Sequence, residues 1–239
     1  MKNDGPTFLF IHGAGGTQSK WRLIKEAFTS DEATFIDLPG RKKNAELSER
    51  TIREFSSALS SSIGEDTIVV GHSMGGLIAM DLAIKNPNVK GIVLVASHFH
   101  LPVHEKVLNQ LENGTFPEGL FFASYSKQAD TKLLEEEKEE LSLVDMNQIF
   151  IDFSACNDYK NGKETFAELQ VPILIIYGDE DRMLPKDSRE QVLALNKHTS
   201  IKTIEKSGHY VMLEQPEKLL VELRNFQKEV SVLKGSEIT

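Results

Sequence analysis

Short apolar runs alternate with helical segments along most of this chain, and this alternation is the feature that most restricts its fold. The predicted strands are 7–11, 34–37, 67–70, 91–96, 171–178 and 200–204. Helical spacing of apolar residues predicts helices at 20–29, 51–63, 74–85, 186–195 and 215–230. Strands that are apolar on both faces and separated by helices predict an α/β fold. We expect a mostly parallel sheet of about six strands with helices on both faces.

The alternation stops between residues 98 and 169. This stretch is rich in Phe, Leu and Glu, and it predicts helices without intervening strands. We therefore predict a core formed by 1–97 and 170–239, and a helical cap formed by 98–169. Within the cap, the acidic run Glu135 to Glu140 is typical of a helix face in contact with solvent rather than of a binding site. Ser48 is the predicted N-cap of the second helix.

Composition is that of an ordinary globular protein and argues against several kinds of partner. The 239 residues suffice for one domain with an insertion, and 40% are hydrophobic and 26% charged. A net charge of −9 argues against a broad surface for nucleic acid. The first apolar run is too short for a signal peptide or a membrane span, so no membrane partner is expected. The single cysteine, Cys156, excludes an intrachain disulfide and fits the cytoplasmic location that we predict.

A glycine-flanked serine lies between a predicted strand and a predicted helix. The segment Gly71–Gly75 matches the pattern G-x-S-x-G in the context that this motif requires. A serine held on such a tight turn leaves no room for a β-carbon two residues before or after it, and glycine supplies both positions. The turn exposes the hydroxyl of Ser73 at the top of the sheet, where the helix N-terminus favours negative charge. Ser73 is therefore the predicted nucleophile, and a chance serine in a glycine turn is the alternative.

A serine hydroxyl is a weak nucleophile until a base removes its proton, and one late histidine is placed to do so. His209 follows the last predicted strand and precedes the last predicted helix, on a loop that returns to the top of the sheet. His12 and His72 flank glycine turns and are expected to have structural roles. His198 precedes a strand and is expected to be exposed. His209 is therefore the predicted base.

The acid that orients the histidine should follow a strand between Ser73 and His209 in the chain. The loop 179–185 follows the fifth predicted strand and contains three carboxylates. Asp181 is the predicted acid because it lies further into the loop, where it reaches the histidine more easily. Asp179, next to the end of the strand, is the alternative. The order serine, aspartate, histidine is the one typical of this arrangement.

Two backbone N–H groups are expected to hold the negative oxygen that forms during acyl transfer, each lowering the barrier by about 3 kcal/mol. Met74 directly follows the nucleophile and supplies one of them. The glycine-rich turn His12–Gly16 ends the first strand, and Ala14 is its predicted donor. This turn lacks both the G-x-G-x-x-G pattern and a G-K-[ST] ending, so no nucleotide site is expected.

Five segments of the chain together resemble the α/β-hydrolase superfamily. They are His12–Gly16, Asp37–Gly40, Gly71–Gly76, Gly178–Pro185 and Ser207–His209. The resemblance covers nearly all of the chain outside the cap. It implies a catalytic triad of Ser73, Asp181 and His209, and an oxyanion hole formed by Ala14 and Met74.

The same resemblance implies that the helical cap covers the site. It implies a serine esterase rather than a dehalogenase or an epoxide hydrolase, because those relatives carry aspartate in place of Ser73. The chain departs from the family in one respect. It begins almost directly at the strand before the oxyanion turn, so the family's usual first two strands are expected to be absent.

The cap is expected to shape the choice of substrate, as loops on a rigid scaffold commonly do. Most of its aromatic side chains are expected to pack the cap onto the core, and a few to line an apolar pocket. The predicted substrate-contacting residues are Phe99, Phe121, Phe122, Tyr125, Phe153 and Met183. The run His98–His104 lacks a carboxylate or cysteine partner, so no metal is expected, and the chemistry requires no cofactor. Cys156 is expected to be a small buried residue rather than a reactive one.

These residues predict a hydrolase that cleaves a small to medium, uncharged carboxylic ester through an acyl-enzyme on Ser73. Other activities stay open at this point, because the same triad serves hydrolysis of a carbon–carbon bond, opening of a lactone, or acyl transfer. A ligand-binding receptor on the same fold is a further alternative, although a receptor does not need a base aligned with a serine. The expected partner is a small-molecule ester, and the sequence carries no indication of an oligomeric state.

Overall fold

The computed structural model describes residues 5–41 and 49–236. The strands are β1 (Thr7–Ile11), β2 (Ala33–Ile36), β3 (Thr67–His72), β4 (Val89–Val95), β5 (Ile173–Gly178) and β6 (Thr199–Ile204). They form one six-stranded sheet in the order β2-β1-β3-β4-β5-β6. Every neighbouring pair is parallel. The predicted parallel α/β sheet is therefore confirmed for the described residues.

Alternate residues of each strand point to opposite faces of the sheet, and both faces are buried. Leu9 and Ile11 of β1 belong to one hydrophobic cluster, whereas Phe8 and Phe10 belong to the other. This division follows from the two-residue repeat of a β-strand. Because both faces are occupied by packed side chains, a ligand can approach the sheet at the ends of the strands.

Helices cover both faces of the sheet, as predicted. In the described residues the α-helices are α1 (Arg22–Lys25), α2 (Ile52–Leu59), α3 (Met74–Lys85), α4 (Glu105–Glu112), α5 (Glu118–Ala123), α6 (Thr131–Ser142), α7 (Met146–Asp158), α8 (Gly162–Glu168), α9 (Ser188–Leu195), α10 (Val211–Glu214) and α11 (Pro216–Ser236). Side chains of α2, α3, α8 and α9 pack in the cluster of Leu9. Side chains of α1, α10 and α11 pack in the cluster of Phe8.

Helix α2 begins at a capping box that the sequence analysis did not identify. The hydroxyl of Thr51 accepts a hydrogen bond from the N–H of Glu54 at 3.2 Å. The carboxylate of Glu54 accepts one from the N–H of Thr51 at 2.9 Å, so two helix-end donors are satisfied reciprocally. The predicted cap, Ser48, lies outside the described residues.

The helix predicted at 20–29 is much shorter in the structure. A 3₁₀ helix at Gln18–Trp21 leads into the single turn of α1. Beyond α1, hydrogen bonds to the residue three positions earlier carry the chain on to Phe28 in turns. The prediction of one continuous α-helix was therefore wrong here. In contrast, α3 has the predicted bounds, and α11 continues past its predicted end at residue 230.

The stretch between β4 and β5 forms the five helices α4 to α8, which we call the inserted helices. This stretch is fully described and contains no strand, as expected from its sequence. The acidic run on α6 departs from the prediction, because Glu137 is 0% exposed. Its carboxylate forms ion pairs with Lys20 and Arg22 of the core, which compensate for its burial. A solvent-facing position is therefore wrong for Glu137.

Candidate active site

Ser73 lies in the sharp turn between β3 and α3. Its backbone has φ 50° and ψ −117°, in a region that a residue with a β-carbon rarely adopts. The N–H of Ser73 donates to the carbonyl of Val95 at 3.0 Å. The carbonyl of Ser73 accepts from the N–H of Gly76 at 2.8 Å and from the hydroxyl of Ser97 at 2.7 Å. These contacts hold the strained backbone while the side chain of Ser73 reaches a cavity.

The two glycines of the motif are required by contacts with backbone atoms. A β-carbon on Gly71 would lie 2.1 Å from the carbonyl oxygen of Gly75. A β-carbon on Gly75 would lie 2.5 Å from the carbonyl oxygen of Ile11 in β1. Backbone atoms of packed strands and helices cannot move aside as the end of a side chain can. The close approach of β1, β3 and α3 therefore depends on glycine at both positions.

The loops after β5 and β6 bring Asp181 and His209 together. His209 Nδ1 and Asp181 Oδ2 are 2.9 Å apart, and both side chains are largely buried. With Nδ1 as the donor, Nε2 is the unprotonated nitrogen that can accept a proton. Asp179, the alternative acid, instead accepts a hydrogen bond from the N–H of Ser207 at 3.2 Å. The geometry therefore favours Asp181 over Asp179 as the partner of the imidazole.

The charge of Asp181 is set by two opposing effects. Burial raises the pKa of this carboxyl, but His209 and the N–H groups of Met183 and Leu184 outweigh burial and hold the pKa below its ordinary value. The N–H of Met183 donates to Asp181 Oδ1 at 2.8 Å. Asp181 is therefore a carboxylate at neutral pH, which is the form that stabilises an imidazolium.

His209 and Ser73 line the same cavity. Among the described residues, the hydroxyl of Ser73 makes no hydrogen bond to the imidazole. Such hydrogen bonds are often loose in a free enzyme and tighten when substrate binds. The structure thus brings the predicted nucleophile and base to one site. Among the described residues, the hydroxyl of Ser73 has no hydrogen-bond acceptor.

His12 and His72 hold backbone segments of the site in place. His12 Nδ1 donates to the carbonyl of Gly13 at 2.9 Å, and its Nε2 accepts from the N–H of Leu38 at 3.0 Å. His72 Nε2 donates to the carbonyl of His209 at 3.1 Å. Burial lowers the pKa of both His12 and His72 well below the ordinary value. Both rings are therefore neutral and structural, in agreement with the expectation from sequence.

The predicted oxyanion donors belong to the loop after β1 and to the start of α3. Ala14 lines the cavity together with Ser73, and Met74 is the first residue of α3. The N–H groups in the first turn of a helix have no acceptor within the helix, so that of Met74 can serve a ligand. The roles of Ala14 and Met74 as oxyanion donors stay predictions.

An ion pair from α7 holds the turn that carries Ala14. Asp152 Oδ2 accepts from the N–H of Gly15 at 2.8 Å and from Arg41 Nη2 at 2.5 Å. Burial raises the pKa of Asp152, and Arg41 and the N–H of Gly15 act in the opposite direction. This contact was not predicted. No local pattern marks it, because Gly15 and Asp152 are 137 positions apart.

A cavity of about 840 Å³, counting its mouth, lies between the core and the inserted helices. The core contributes Ser73, His209 and Ala14 to its wall. The inserted helices contribute mostly apolar side chains, among them Phe116, Leu120, Phe121, Leu141 and Phe153. An apolar wall with a few polar groups is typical of a small-molecule site.

Of the predicted substrate-contacting residues, those that line this cavity are Phe121, Tyr125, Phe153 and Met183. Phe99 instead packs in the core, with its ring centroid 5.7 Å from that of Phe166. Phe122 lies on the outer side of α5 and is 44% exposed. Successive residues of a helix point about 100° apart, and since Leu120 and Phe121 already face the cavity, Phe122 is turned away from it. The predicted contacts are therefore corrected for Phe99 and Phe122.

Lys20 and Glu137 line the cavity and were not predicted as site residues. Lys20 Nζ pairs with Glu137 Oε2, which also accepts from the hydroxyl of Tyr125 at 3.1 Å. A signal for Glu137 was present in the sequence. Leu133 and Leu141 lie four positions before and after it, so the three side chains share one face of α6.

Hydrogen bonds also join the inserted helices to the loop of the predicted base. The N–H of His209 donates to the carbonyl of Ser124 at 2.8 Å. The carboxylate of Glu214 accepts from the N–H of Ser126 at 2.9 Å and from the N–H of Gly208 at 2.8 Å. The position of the imidazole is therefore coupled to the position of the inserted helices.

Other candidate sites were tested against the structure. Among the described residues, no group of three or more His, Cys, Asp or Glu side chains is placed to hold a metal. No helix of this part of the chain is both long and apolar enough to cross a membrane. Cys156 is buried, as predicted, and burial raises the pKa of its thiol. His198 is partly buried where it was predicted to be exposed, because it packs at the start of β6.

Comparison with known proteins identifies the family. A sequence profile of the Alpha/beta hydrolase family matches residues 8–223, which include every predicted site residue. The chain belongs to this family. A solved structure of a lipase-esterase related protein from Clostridium acetobutylicum covers 95% of this chain and 96% of that chain, with a TM-score of 0.81 and 18% identity. At this identity the likeness concerns the fold.

Two curated relatives match a shorter stretch of this alpha/beta hydrolase. It is 30% identical over 97 residues to a pimeloyl-(acyl-carrier protein) methyl ester esterase of Pseudoalteromonas atlantica, and these residues make up 39% of this chain and 38% of that protein. It is 26% identical over 98 residues to a 2-succinyl-6-hydroxy-2,4-cyclohexadiene-1-carboxylate synthase of Klebsiella pneumoniae, and these residues make up 39% of each chain. The matched stretch thus spans about two fifths of the length of each relative. The family match supports an enzyme of the hydrolase type.

Proposed function

We propose that this alpha/beta hydrolase cleaves small to medium, uncharged carboxylic esters through an acyl-enzyme on Ser73. The observation that carries the proposal is the 2.9 Å contact between His209 Nδ1 and Asp181 Oδ2, beside a cavity that also contains Ser73. A carboxylate that orients one ring nitrogen leaves the other nitrogen free to accept a proton from a nucleophile. This arrangement has a use in covalent catalysis and none in ligand binding alone.

In the first half of the reaction, Ser73 Oγ attacks the ester carbonyl carbon while His209 Nε2 accepts the hydroxyl proton. The former carbonyl oxygen becomes negative, and the N–H groups of Ala14 and Met74 are the proposed donors that stabilise it. His209 then gives the proton to the leaving alcohol, and the acyl group stays on Ser73. Asp181 remains ionised and stabilises the imidazolium.

In the second half, a water molecule replaces the alcohol. His209 accepts a proton from this water as its oxygen attacks the acyl carbon, and returns the proton to Ser73 Oγ as the acid leaves. The inserted helices serve in this proposal as the cap, with boundaries at 98–169, over a core of 1–97 and 170–239. No metal or organic cofactor takes part.

The cavity wall supports an uncharged substrate of modest size. Phe121, Phe153 and Leu141 offer apolar surface beside Ser73, which suits the uncharged part of a small molecule. The Pseudoalteromonas relative is named for a methyl ester, which has a small alcohol group. Esters with a short alcohol and an acyl chain of several carbons are therefore the first substrates to test. The cytoplasmic location stays a prediction.

Replacement of the nucleophile tests the proposal directly. Ser73→Ala should abolish hydrolysis of p-nitrophenyl butyrate and labelling by a fluorophosphonate probe, because both require an activated hydroxyl. Ser57→Ala is the matched control, since Ser57 is an exposed serine on α2. Peptide mass spectrometry should place the probe on Ser73 in the wild type. Undiminished ester hydrolysis by Ser73→Ala would remove the proposal.

The similarity to a synthase favours a second candidate, in which the same triad acts on a carbon–carbon bond, a lactone or an acyl acceptor. Product analysis by mass spectrometry on panels of diketones, lactones and esters separates these chemistries. A chain that is labelled at Ser73 but leaves all esters intact would support the second candidate. A chain that binds ligands tightly without labelling would support a receptor.

A further inference from the structure

Two charged side chains contribute to the polar part of the cavity wall. Lys20 is 4% exposed and Glu137 is 0% exposed, yet both line the cavity. Much of the surrounding wall is apolar, with Phe121 and Leu141 among its residues. Charged groups at such a surface lose hydration, and this loss requires compensating contacts.

The hydrogen-bond capacity of Glu137 is largely used by protein groups. Its carboxylate is paired with Lys20 Nζ, and accepts from the hydroxyl of Tyr125 at 3.1 Å and from Arg22 Nη1 at 2.8 Å. Arg22 approaches from the partly exposed side, where it also pairs with Glu136. The connection between α6 and the core therefore does not depend on Lys20 alone.

Most of the hydrogen-bond donors of Lys20 are unused. Among the described residues, Lys20 Nζ has Glu137 as its single hydrogen-bond partner. An ammonium group carries three N–H donors, so two of them have no acceptor in the described part of the chain. The ring of Tyr210 lies under the charge, with its centroid 5.1 Å from Nζ, and supplies a cation–π contact rather than an acceptor.

Lys20 and the proposed base, His209, both lie beside the ring of Tyr210. Lys20 Nζ is 5.1 Å from the centroid of this ring, and the ring centroid of His209 is 6.0 Å from it. Among the described residues, Lys20 Nζ makes no hydrogen bond to Ser73 or His209. Its unused donors are therefore free for a substrate atom other than the carbonyl that Ser73 attacks.

We infer that Lys20 binds an uncharged acceptor oxygen of the substrate, such as a ketone, amide or second ester carbonyl, several bonds away from the ester that Ser73 attacks. This inference rests on the proposed function. The oxygen is uncharged because Glu137 already neutralises Lys20, and an anionic group would lie beside the Glu137 carboxylate. The net charge of −9 also disfavours anionic substrates.

The test compares esters that differ at one remote position. The substrates are p-nitrophenyl heptanoate, the p-nitrophenyl oxoheptanoates with one ketone along the chain, and the p-nitrophenyl half-ester of adipate, which carries a carboxylate. The measured quantity is the ratio of kcat/KM for the best ketone ester to kcat/KM for heptanoate. A hydrogen bond from a charged donor should make this ratio about ten or more in the wild type.

Lys20→Met removes the donors while keeping an apolar stem, and should lower the ratio to about one. The ratio is taken within one preparation, so a smaller folded fraction affects both substrates equally. Lys20→Met/Glu137→Met removes both charges together, and provides a second variant if the single change leaves Glu137 too poorly compensated to fold. Lys132→Met is the control, because Lys132 is an exposed lysine on the same helix as Glu137 and should keep the wild-type ratio.

The outcomes separate this inference from the proposed function. If the wild type hydrolyses heptanoate without preferring any ketone ester, or if Lys20→Met keeps the preference, Lys20 does not bind the substrate and the esterase proposal stands. If the adipate half-ester is the best substrate in a Lys20-dependent way, the acceptor is anionic and the inference is wrong. If no ester is hydrolysed, the proposed function itself fails.

Discussion

Two aspartates in one loop provide a matched test of which carboxylate orients the base. In the wild type, the hydrogen bond between Asp181 Oδ2 and His209 Nδ1 is 2.9 Å long. In Asp181→Asn the acceptor of this hydrogen bond loses its negative charge. In Asp179→Asn the side-chain oxygen that accepts from the N–H of Ser207 at 3.2 Å is kept. Both variants replace one carboxylate by an isosteric amide two positions apart, so general effects on the loop are similar.

The expected loss for Asp181→Asn has two sources. A hydrogen bond to a charged group contributes about 1.5–3 kcal/mol, so loss of the charge alone slows formation of the imidazolium by about tenfold to a hundredfold. The amide can also donate to Nδ1 of His209, which leaves the proton on Nε2 and removes the base. Together these effects predict a fall in kcat of about 10³- to 10⁴-fold, as expected when an orienting acid is lost. Asp179→Asn should retain most of its activity.

Initial rates with p-nitrophenyl butyrate measure both variants, and melting temperatures confirm that each one is folded. A fluorophosphonate probe should label Asp181→Asn much more slowly than the wild type, because the same base activates Ser73 toward the probe. If Asp179→Asn lost more activity than Asp181→Asn while both remained folded, the assignment of the acid from the geometry would be refuted.

Two further predictions concern stability. Gly75→Ala places a β-carbon 2.5 Å from the carbonyl of Ile11 and should lower the free energy of unfolding by about 2 kcal/mol or more, measured by urea denaturation. Gly119→Ala, where a β-carbon meets nothing within 4 Å, is the control and should be neutral or slightly stabilising, and equal stability of the two variants would contradict the close approach. His72 is neutral in the fold, since burial lowers its pKa below the ordinary 6.5, so the unfolded chain binds the extra proton as the pH falls below that value. The free energy of unfolding should then fall by about 1.4 kcal/mol per pH unit for this group. His72→Gln should remove that part of the slope in urea denaturation as the pH falls below about 6.5, and an unchanged slope would mean that His72 is not the titrating group.

The strand and helix pattern was predictable because it depends on local chemistry. A strand buried on both faces must be apolar throughout, as Phe8 to Ile11 are, and this is visible in the sequence without knowledge of its neighbours. The glycine spacing around Ser73 is equally visible as a motif, although only Gly71 makes its close contact within the turn, whereas Gly75 approaches Ile11 in β1. The helix α1 was predicted to be longer than it is, because the residues that follow it form turns in the structure and not a continuation of the helix.

Predictions about the cavity were less successful, because burial of a side chain depends on what lies opposite. Glu137 belongs to an acidic run, and its burial is tolerable because it pairs with Lys20 and Arg22, which are 117 and 115 positions away. Phe121 and Phe122 have the same chemistry and adjacent positions, yet the first lines the cavity and the second is exposed. The orientation of α5 decides between them.

The sequence by itself determined the layers of the fold and the order in which the candidate nucleophile, acid and base occur. Hydrophobic periodicity and the glycine motif are both visible within a few residues of sequence. Only the tertiary structure decided which of two aspartates meets His209 and which polar groups line the cavity. Those outcomes depend on distances between segments far apart in the chain. Such distances are set by packing of the sheet and the inserted helices as a whole.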